Sequence, residues 1–148
     1  MAAGTGAAGR AAGQTGAMSP HERIVAYFAA CSEGTAQAIA SHFTDDAVIY
    51  DTNIKPIAGS LVIGDMWVKV RDRWQGAVWT VDSCVEDADG ERAAIEWSMA
   101  GTNPSDGRGF VFRGSEHYSF AGGLITEIRQ YWTFEPKKLD TGLLGYSY

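Results

Sequence analysis

The chain has 148 residues and a formal net charge of −6, with a pI near 4.9. This length predicts one domain with a sizeable core, and the acidic balance argues against a nucleic-acid partner. No stretch is long and apolar enough to span a membrane, and the N-terminus lacks the pattern of a secretory signal. Cys31 and Cys84 are too few for a disulfide scaffold or a zinc site. We therefore expect a reduced, cytoplasmic protein with neither a nucleic-acid nor a membrane partner.

The chain begins with an Ala- and Gly-rich stretch, residues 1–18, which we expect to be a flexible leader. The folded domain is expected to cover residues 19–148. Its first helix should begin at Ser19, because Pro20 suits the first helical position and Glu22 completes a capping-box pattern. Apolar residues then recur along one helix face at Ile24, Tyr27, Phe28 and Cys31.

Two more helices and a short strand are predicted in the first half of the chain. A second helix is expected from about Thr35, with Phe43 on its inward side. Residues 46–51 have the composition of a strand, and residues 52–64 that of a loop, because they contain a proline and two glycines. A third helix is predicted over about residues 65–75, with apolar and aromatic residues at helical spacing.

The second half of the chain is predicted to be rich in β-strands. Strands are expected over residues 77–85, 92–101, 109–120 and 124–134, linked by turns that contain Gly, Asp and Asn. Helices followed by a meander of strands predict an α+β domain. In this domain the N-terminal helices would pack on one face of a curved antiparallel sheet.

Glu116 is the most informative residue of the chain. Residues 110–120 alternate with period two, as a half-buried strand does, and Glu116 shares a face with Phe110, Phe112, Tyr118 and Phe120. Burial against aromatic rings disfavours the carboxylate anion, so the pKa of Glu116 should rise, and such groups cluster at functional sites. The alternatives are a structural acid, either hydrogen-bonded to a buried partner or paired with Arg71 or Arg73, and an assignment in which the two strand faces are reversed. His117 is expected to face away from Glu116, at the surface or an interface.

The order of the predicted elements carries a resemblance to a known superfamily. Residues 43–51, FTDDAVIYD, come early and residues 122–127, GGLITE, come late. Over residues 21–134 the chain resembles the nuclear transport factor 2-like superfamily, which includes ketosteroid isomerase and the SnoaL-like polyketide cyclases. The resemblance implies a cone-shaped α+β fold and a homodimer. It does not fix the function, because one fold hosts many chemistries.

Within this superfamily the catalytic pattern most similar to the chain is that of ketosteroid isomerase. Tyr27 falls where that family carries its oxyanion-hole tyrosine, and Asp51 falls on the aspartate that moves the proton. Glu116 falls on the protonated carboxylic acid of the oxyanion hole. Two positions depart from the pattern: Glu116 replaces an aspartate, and Thr52 stands where a proline is usual.

The other enzymes of the superfamily match less well. The His/Asp pair of SnoaL-like cyclases falls on Glu116 and Gln130, so neither residue is retained. The last aspartate of limonene epoxide hydrolase also falls on Gln130, which argues against epoxide opening by that mechanism. Each proposed catalytic residue has a structural alternative too, since Tyr27 can pack in the core and Asp51 can cap the following turn.

The aromatic residues of the chain suggest a pocket for a small apolar substrate or ligand, because such sites are mostly apolar with few polar groups. The residues expected to bind the substrate are Met66, Trp67, Trp74, Trp97, Tyr118, Gln130 and Trp132. The C-terminal stretch, residues 139–148, is expected to fold over the pocket mouth or to pack on a neighbouring subunit. The three histidines lack metal-ligand spacing, so no metal and no organic cofactor is expected.

These residues support a chemical hypothesis. A base near a carbonyl compound and two donors aimed at the developing enolate would move a proton. We therefore expect a cofactor-independent isomerase or cyclase of secondary metabolism that acts on a polyketide- or terpenoid-like carbonyl compound. The alternatives are a non-catalytic module that binds a small ligand or a partner protein, and a lyase or dehydratase that uses the same acids.

Overall fold

A computed structural model describes residues 16–132, together with Tyr146 and Tyr148. The helices are α1 (Pro20–Glu33), α2 (Ala36–Ala40) and α3 (Ser60–Arg73); the strands are β1 (Phe43–Asp51), β2 (Ile57–Ala58), β3 (Gln75–Glu86), β4 (Arg92–Thr102), β5 (Gly109–Ala121) and β6 (Leu124–Trp132). The predictions for the leader and the C-terminal stretch concern residues that lie largely outside this range. Within the described range, no helix is both long and apolar enough to cross a membrane.

The six strands form one sheet in the order β2-β1-β6-β5-β4-β3. Neighbouring strands run antiparallel except β1 and β6, which are parallel. A parallel pair needs a long connection, and here the rest of the chain, with α3 and the β3–β5 meander, supplies it. The α+β class is therefore confirmed, with a mixed sheet in place of a wholly antiparallel one.

Helix α1 begins as its sequence predicts. The Ser19 hydroxyl accepts a hydrogen bond from the Glu22 backbone N–H at 3.3 Å, and the Glu22 carboxylate accepts one from the Ser19 N–H at 2.8 Å. This capping box satisfies two backbone donors that the first helical turn leaves without partners. The predicted apolar face is buried at Ile24, Tyr27, Phe28 and Cys31, and it packs against the sheet.

Helix α2 is shorter than expected. Thr35 caps it by accepting a hydrogen bond from the Ala38 N–H at 3.1 Å, but the helix ends at Ala40. Phe43 is buried as predicted, yet it opens strand β1 and does not belong to the helix. The reason is strand pairing, because Phe43 lies opposite Ile125 of β6.

Helix α3 begins at Ser60, five residues before the predicted start, and the expected loop also contains strand β2. The glycines that indicated a loop have other roles. Gly59 has a φ of 97° and precedes the helix. Gly64 lies inside the helix, where a Cβ atom would be 2.2 Å from the Ala36 carbonyl oxygen, so this glycine allows α2 and α3 to approach closely.

The alternation predicted for β5 is present in the structure. Its even-numbered side chains from Phe110 to Phe120 face the helices, whereas His117 is exposed on the other face, with its ring edge against Tyr131. The ends of strands β3 to β6 differ from the prediction by two residues or fewer. Glu116 therefore lies on the interior face of the sheet, as its position in the pattern predicts.

Candidate functional site

Three polar side chains form a row across the interior face of the sheet. Asp51 of β1 lies opposite Gln130 of β6, and Gln130 lies opposite Glu116 of β5. Neighbouring strands are about 4.8 Å apart, so the backbones that carry the two acids are separated by about 10 Å. Glu116 and Gln130 are only 3% and 4% exposed. The strand register thus brings together two acids that are far apart in sequence.

Glu116 favours the neutral, protonated form of its carboxyl group. Burial raises its pKa to about 8, and the negative charge of Asp51 adds to this effect, whereas a hydrogen bond from the Tyr118 hydroxyl to Oε2 opposes it. Within the described residues no basic side chain forms an ion pair with Glu116. The guanidinium of Arg71 instead donates to the Gly34 carbonyl oxygen at 2.7 Å. The structural ion pair considered from the sequence is therefore absent from this region.

Two buried phenols and a buried thiol accompany Glu116. Burial raises the pKa of Tyr27 and of Tyr118 well above 10, with further contributions from Cys31 and Glu116. Both phenols therefore keep their protons and can act as donors. Tyr27 also packs edge-on against the Phe43 ring, with ring centroids 5.1 Å apart. This is the core packing that the sequence offered as the alternative to a catalytic role. Tyr27, Cys31, Glu116 and Tyr118 are called the buried polar cluster below.

A cavity of about 280 Å³ lies between α3 and the sheet. Six of the seven residues predicted to bind the substrate line it: Met66, Trp67, Trp74, Trp97, Gln130 and Trp132. The sequence analysis missed lining residues in the β1–β2 loop and on β2, β3 and β4, among them Asn53, Ile54, Ile57, Trp79 and Met99. The Asn–Ile pair after Asp51 was the available signal for the loop, because apolar side chains are uncommon in an exposed turn.

Asp51 is the predicted catalytic residue that lines the cavity. Its Oδ1 atom accepts a hydrogen bond from the Asn53 backbone N–H at 2.6 Å, so Asp51 does cap the following turn. Its Oδ2 atom accepts one from the Trp132 indole N–H at 2.7 Å. Both donors are neutral groups, and hydrogen bonds of this kind stabilise the negative charge of a carboxylate. Within the described residues no basic side chain forms an ion pair with Asp51.

Tyr27, Glu116 and Tyr118 are buried but do not line the cavity. Gln130 lines it between the two acids, and Trp67 forms another part of the wall beside Tyr27. Tyr118 was predicted to bind the substrate, but its hydroxyl donates a hydrogen bond to Glu116 instead. Its position two residues further along the same strand face was the signal for this contact. Among the described residues, no cluster of three His, Cys, Asp or Glu side chains is arranged to hold a metal ion.

Helices packed on one face of a six-stranded sheet, over an apolar cavity, define a ketosteroid isomerase-like domain. The sequence confirms this class, since the chain belongs to the SnoaL-like domain family, which matches residues 24–128. The resemblance found in the sequence is therefore correct. Among curated proteins, none matches the chain significantly.

Solved structures share the fold at low sequence identity. A ketosteroid isomerase-like protein from Catenulispora acidiphila, in complex with trimethylamine, is 19% identical with a TM-score of 0.70, over 79% of this chain and 88% of that one. A protein from Pseudomonas putida, provisionally named a polyketide cyclase, is 20% identical with a TM-score of 0.68, over 80% and 94%. SalBIII, an epoxide hydrolase/cyclase-like enzyme with a role in pyran ring formation in salinomycin, is 18% identical with a TM-score of 0.67, over 78% and 91%.

Proposed function

We propose that the protein is a cofactor-independent enzyme that moves a proton on an apolar carbonyl compound, as an isomerase or a cyclase. The observation that carries the proposal is the row of Asp51, Gln130 and Glu116, in which a neutral acid and a hydrogen-bonded carboxylate lie beside an aromatic cavity. The cyclase names of two structurally similar proteins add support from the family.

In the proposed reaction Asp51 removes a proton from the carbon next to the ligand carbonyl. The electrons of the broken C–H bond move to the carbonyl oxygen and form an enolate. Return of the proton from Asp51 to a different carbon completes an isomerisation. If the enolate carbon instead attacks a second carbonyl of the same molecule, a C–C bond forms, and the proton passes to the new alkoxide, which gives a cyclised product.

The enolate oxygen needs hydrogen-bond donors. Gln130 lines the cavity and presents an amide there, and Glu116 and Tyr27 are protonated donors behind it. Because Gln130 and Trp67 stand between the cavity and these two donors, direct donation by Glu116 or Tyr27 requires those side chains to turn aside. We propose this rearrangement as part of ligand binding.

A second candidate function is ligand binding without turnover. It is favoured by the hydrogen bonds that already occupy both oxygens of Asp51, and by the bond that ties Glu116 to Tyr118. A binding module of this kind would use the aromatic cavity and leave the acids as structural groups.

Deuterium exchange at the carbon next to the carbonyl, followed by NMR, separates the two functions. The substrates are a 3-oxo-Δ5-steroid and a set of β-keto compounds. Asp51→Asn should lower the exchange rate by about 10²- to 10⁴-fold, the contribution of a positioned base. Asp46→Asn, which changes an exposed acid on the same strand, should leave the rate unchanged. Equal rates for Asp51→Asn and the wild type, with ligand binding retained, would refute the catalytic proposal in favour of the binding module.

A further inference from the structure

An open groove of about 410 Å³ runs along α3 beside the cavity. It is lined by Val62, Asp65, Met66, Lys69, Val70 and Arg73. These positions recur every three or four residues and therefore form one stripe on the helix. Met66, Val70 and Arg73 line both the groove and the cavity. The cavity and the groove thus adjoin at these three residues.

Two cations, Lys69 and Arg73, lie on this stripe. The Arg73 guanidinium lies over the Trp74 ring, 5.4 Å from its centroid, which holds the charge at the junction of cavity and groove. The adjacent acid, Asp72, contacts Arg71 at 3.6 Å instead. Lys69 lies one turn before Arg73 on the same stripe. Within the described residues neither Lys69 nor Arg73 forms an ion pair.

Among the described residues that line the groove, Asp65 is the one acid against two cations, so this lining carries a net positive charge in a chain of net charge −6. The cavity itself is walled mainly by tryptophan, methionine and isoleucine side chains. An apolar interior and a positive rim match a ligand with an apolar body and an anionic end.

We propose that the ligand carries a carboxylate or phosphate group, which binds Arg73 and Lys69 where the cavity and the groove adjoin. The apolar part enters the cavity and places its carbonyl near Asp51. Guanidinium groups suit this task because their planar donors match the paired oxygens of carboxylates and phosphates. The position of the ligand carbonyl near Asp51 rests on the proposed function. The anionic group of the ligand does not, because it is inferred from the charges of Arg73 and Lys69 alone.

Calorimetric titration with four compounds that share an octyl chain tests the charge preference. At low salt, octanoate or octyl phosphate should bind about threefold to fivefold more tightly than octan-1-ol, the effect of a partly exposed charge pair. Octylammonium should bind more weakly than the alcohol. The preference should shrink as salt is added. A preference for octanoate alone identifies a free acid as the ligand type, and a preference for octyl phosphate alone identifies a phosphorylated one.

Charge-neutralising variants locate the effect. Arg73→Gln and Lys69→Gln should each reduce the preference for the anion, whereas Arg92→Gln, the same change at an exposed site on β4, should leave it intact. Circular dichroism checks that the variants fold. The proposal is overturned if the alcohol binds as tightly as both anions, if octylammonium binds best, if neither groove variant reduces the preference, or if no octyl compound binds.

The proposal of an anionic ligand group and the proposal of catalysis can be refuted independently of each other. Asp51→Asn should keep the preference for the anion even though it lowers the rate of proton exchange. Arg73→Gln should raise the KM of an anionic carbonyl substrate more than it lowers kcat. A preference for anions without any proton exchange would therefore support the rim site and refute the chemistry.

Discussion

Two carboxylic acids on the interior face of the same sheet, with strand β6 between them, lie in contrasting environments. Glu116 on β5 is sealed, 3% exposed, and hydrogen-bonded by a buried phenol. Asp51 on β1 is partly exposed at the wall of an open cavity, and its donors are a backbone N–H and an indole N–H. Burial is the largest contribution to the raised pKa of Glu116. The same chemical group thus favours its protonated form in one place and accepts hydrogen bonds at a partly exposed wall in the other.

This difference assigns separate properties to the two regions. The stability of the region around the buried polar cluster should respond strongly to pH, because burial raises the pKa of Glu116. Asp51 is partly exposed at the cavity wall, so its hydrogen bonds can be exchanged with water or with a ligand. Substitutions that leave size and shape nearly unchanged can test whether the two regions are as different as their geometry indicates.

The largest effect is expected from pH acting on Glu116. The pKa of this carboxyl is about 8 in the folded protein against an ordinary value of 4.5. Between these values the folded state holds a proton that the unfolded state has released, so stability falls as pH rises and levels off above pH 8. The expected loss is about 5 kcal/mol. Urea unfolding of the wild type and of Glu116→Gln across this pH range gives the free energy of unfolding of each protein against pH. The difference between these two curves measures the loss that belongs to Glu116.

The matched control is Glu91→Gln, which makes the same change at an exposed acid. Its pH dependence should run parallel to that of the wild type, whereas Glu116→Gln should lose the slope that belongs to this group. If Glu116→Gln keeps the wild-type slope, Glu116 is ionised in the folded protein, and the contrast between the two acids does not exist.

A smaller effect is expected from Tyr118→Phe. The substitution keeps the ring but removes the donor to Glu116 Oε2, so a buried acceptor loses its partner, at a cost of about 1–3 kcal/mol in the free energy of unfolding. Because this hydrogen bond lowers the pKa of Glu116, its removal should move the titration above pH 8. NMR of ¹³C-labelled glutamate carboxyls would follow that shift.

Tyr131→Phe serves as the control for this prediction. Tyr131 is an exposed tyrosine on the next strand, with its ring beside His117 on the outer face. Its substitution should change stability by no more than about 0.5 kcal/mol and should not move the Glu116 resonance. A Tyr118→Phe protein in which Glu116 titrates at a lower pH would show that Tyr118 does not stabilise the anion.

The sequence predicted the burial of Glu116 and the start of α1 correctly because the signals for both are local. Period-two alternation alone put Glu116 on the interior face, and the capping box alone fixed the start of α1. The resemblance to a known superfamily then supplied the α+β architecture. For the strand alternation and the capping box, the residues that determine the outcome are within a few positions of one another, so their spacing carries the information.

The contacts of Asp51 and the start of α3 were harder to predict because they depend on residues that are distant in sequence. The hydrogen bond from Trp132 to Asp51 spans 81 positions and depends on the parallel register of β1 and β6. The early start of α3 was missed because Gly64 reads as a loop residue in sequence, whereas in the fold it allows a close approach to Ala36. Such tertiary contacts override local propensity, and no pattern of neighbouring residues shows them.

The smallest effect is expected from Asp51→Asn on stability. Asparagine keeps a carbonyl oxygen for the Asn53 N–H but places an amide where Oδ2 accepted from the Trp132 indole, so one hydrogen bond is lost. The expected cost is about 0.5–1.5 kcal/mol, because water can reach the site and replace the lost partner. Urea unfolding measures the cost, a shift of the Trp132 indole N–H resonance locates it, and Asp46→Asn is the exposed control. A cost larger than that of Tyr118→Phe would mean that Asp51 is held by buried contacts, in which case the open site would be as structural as the sealed one.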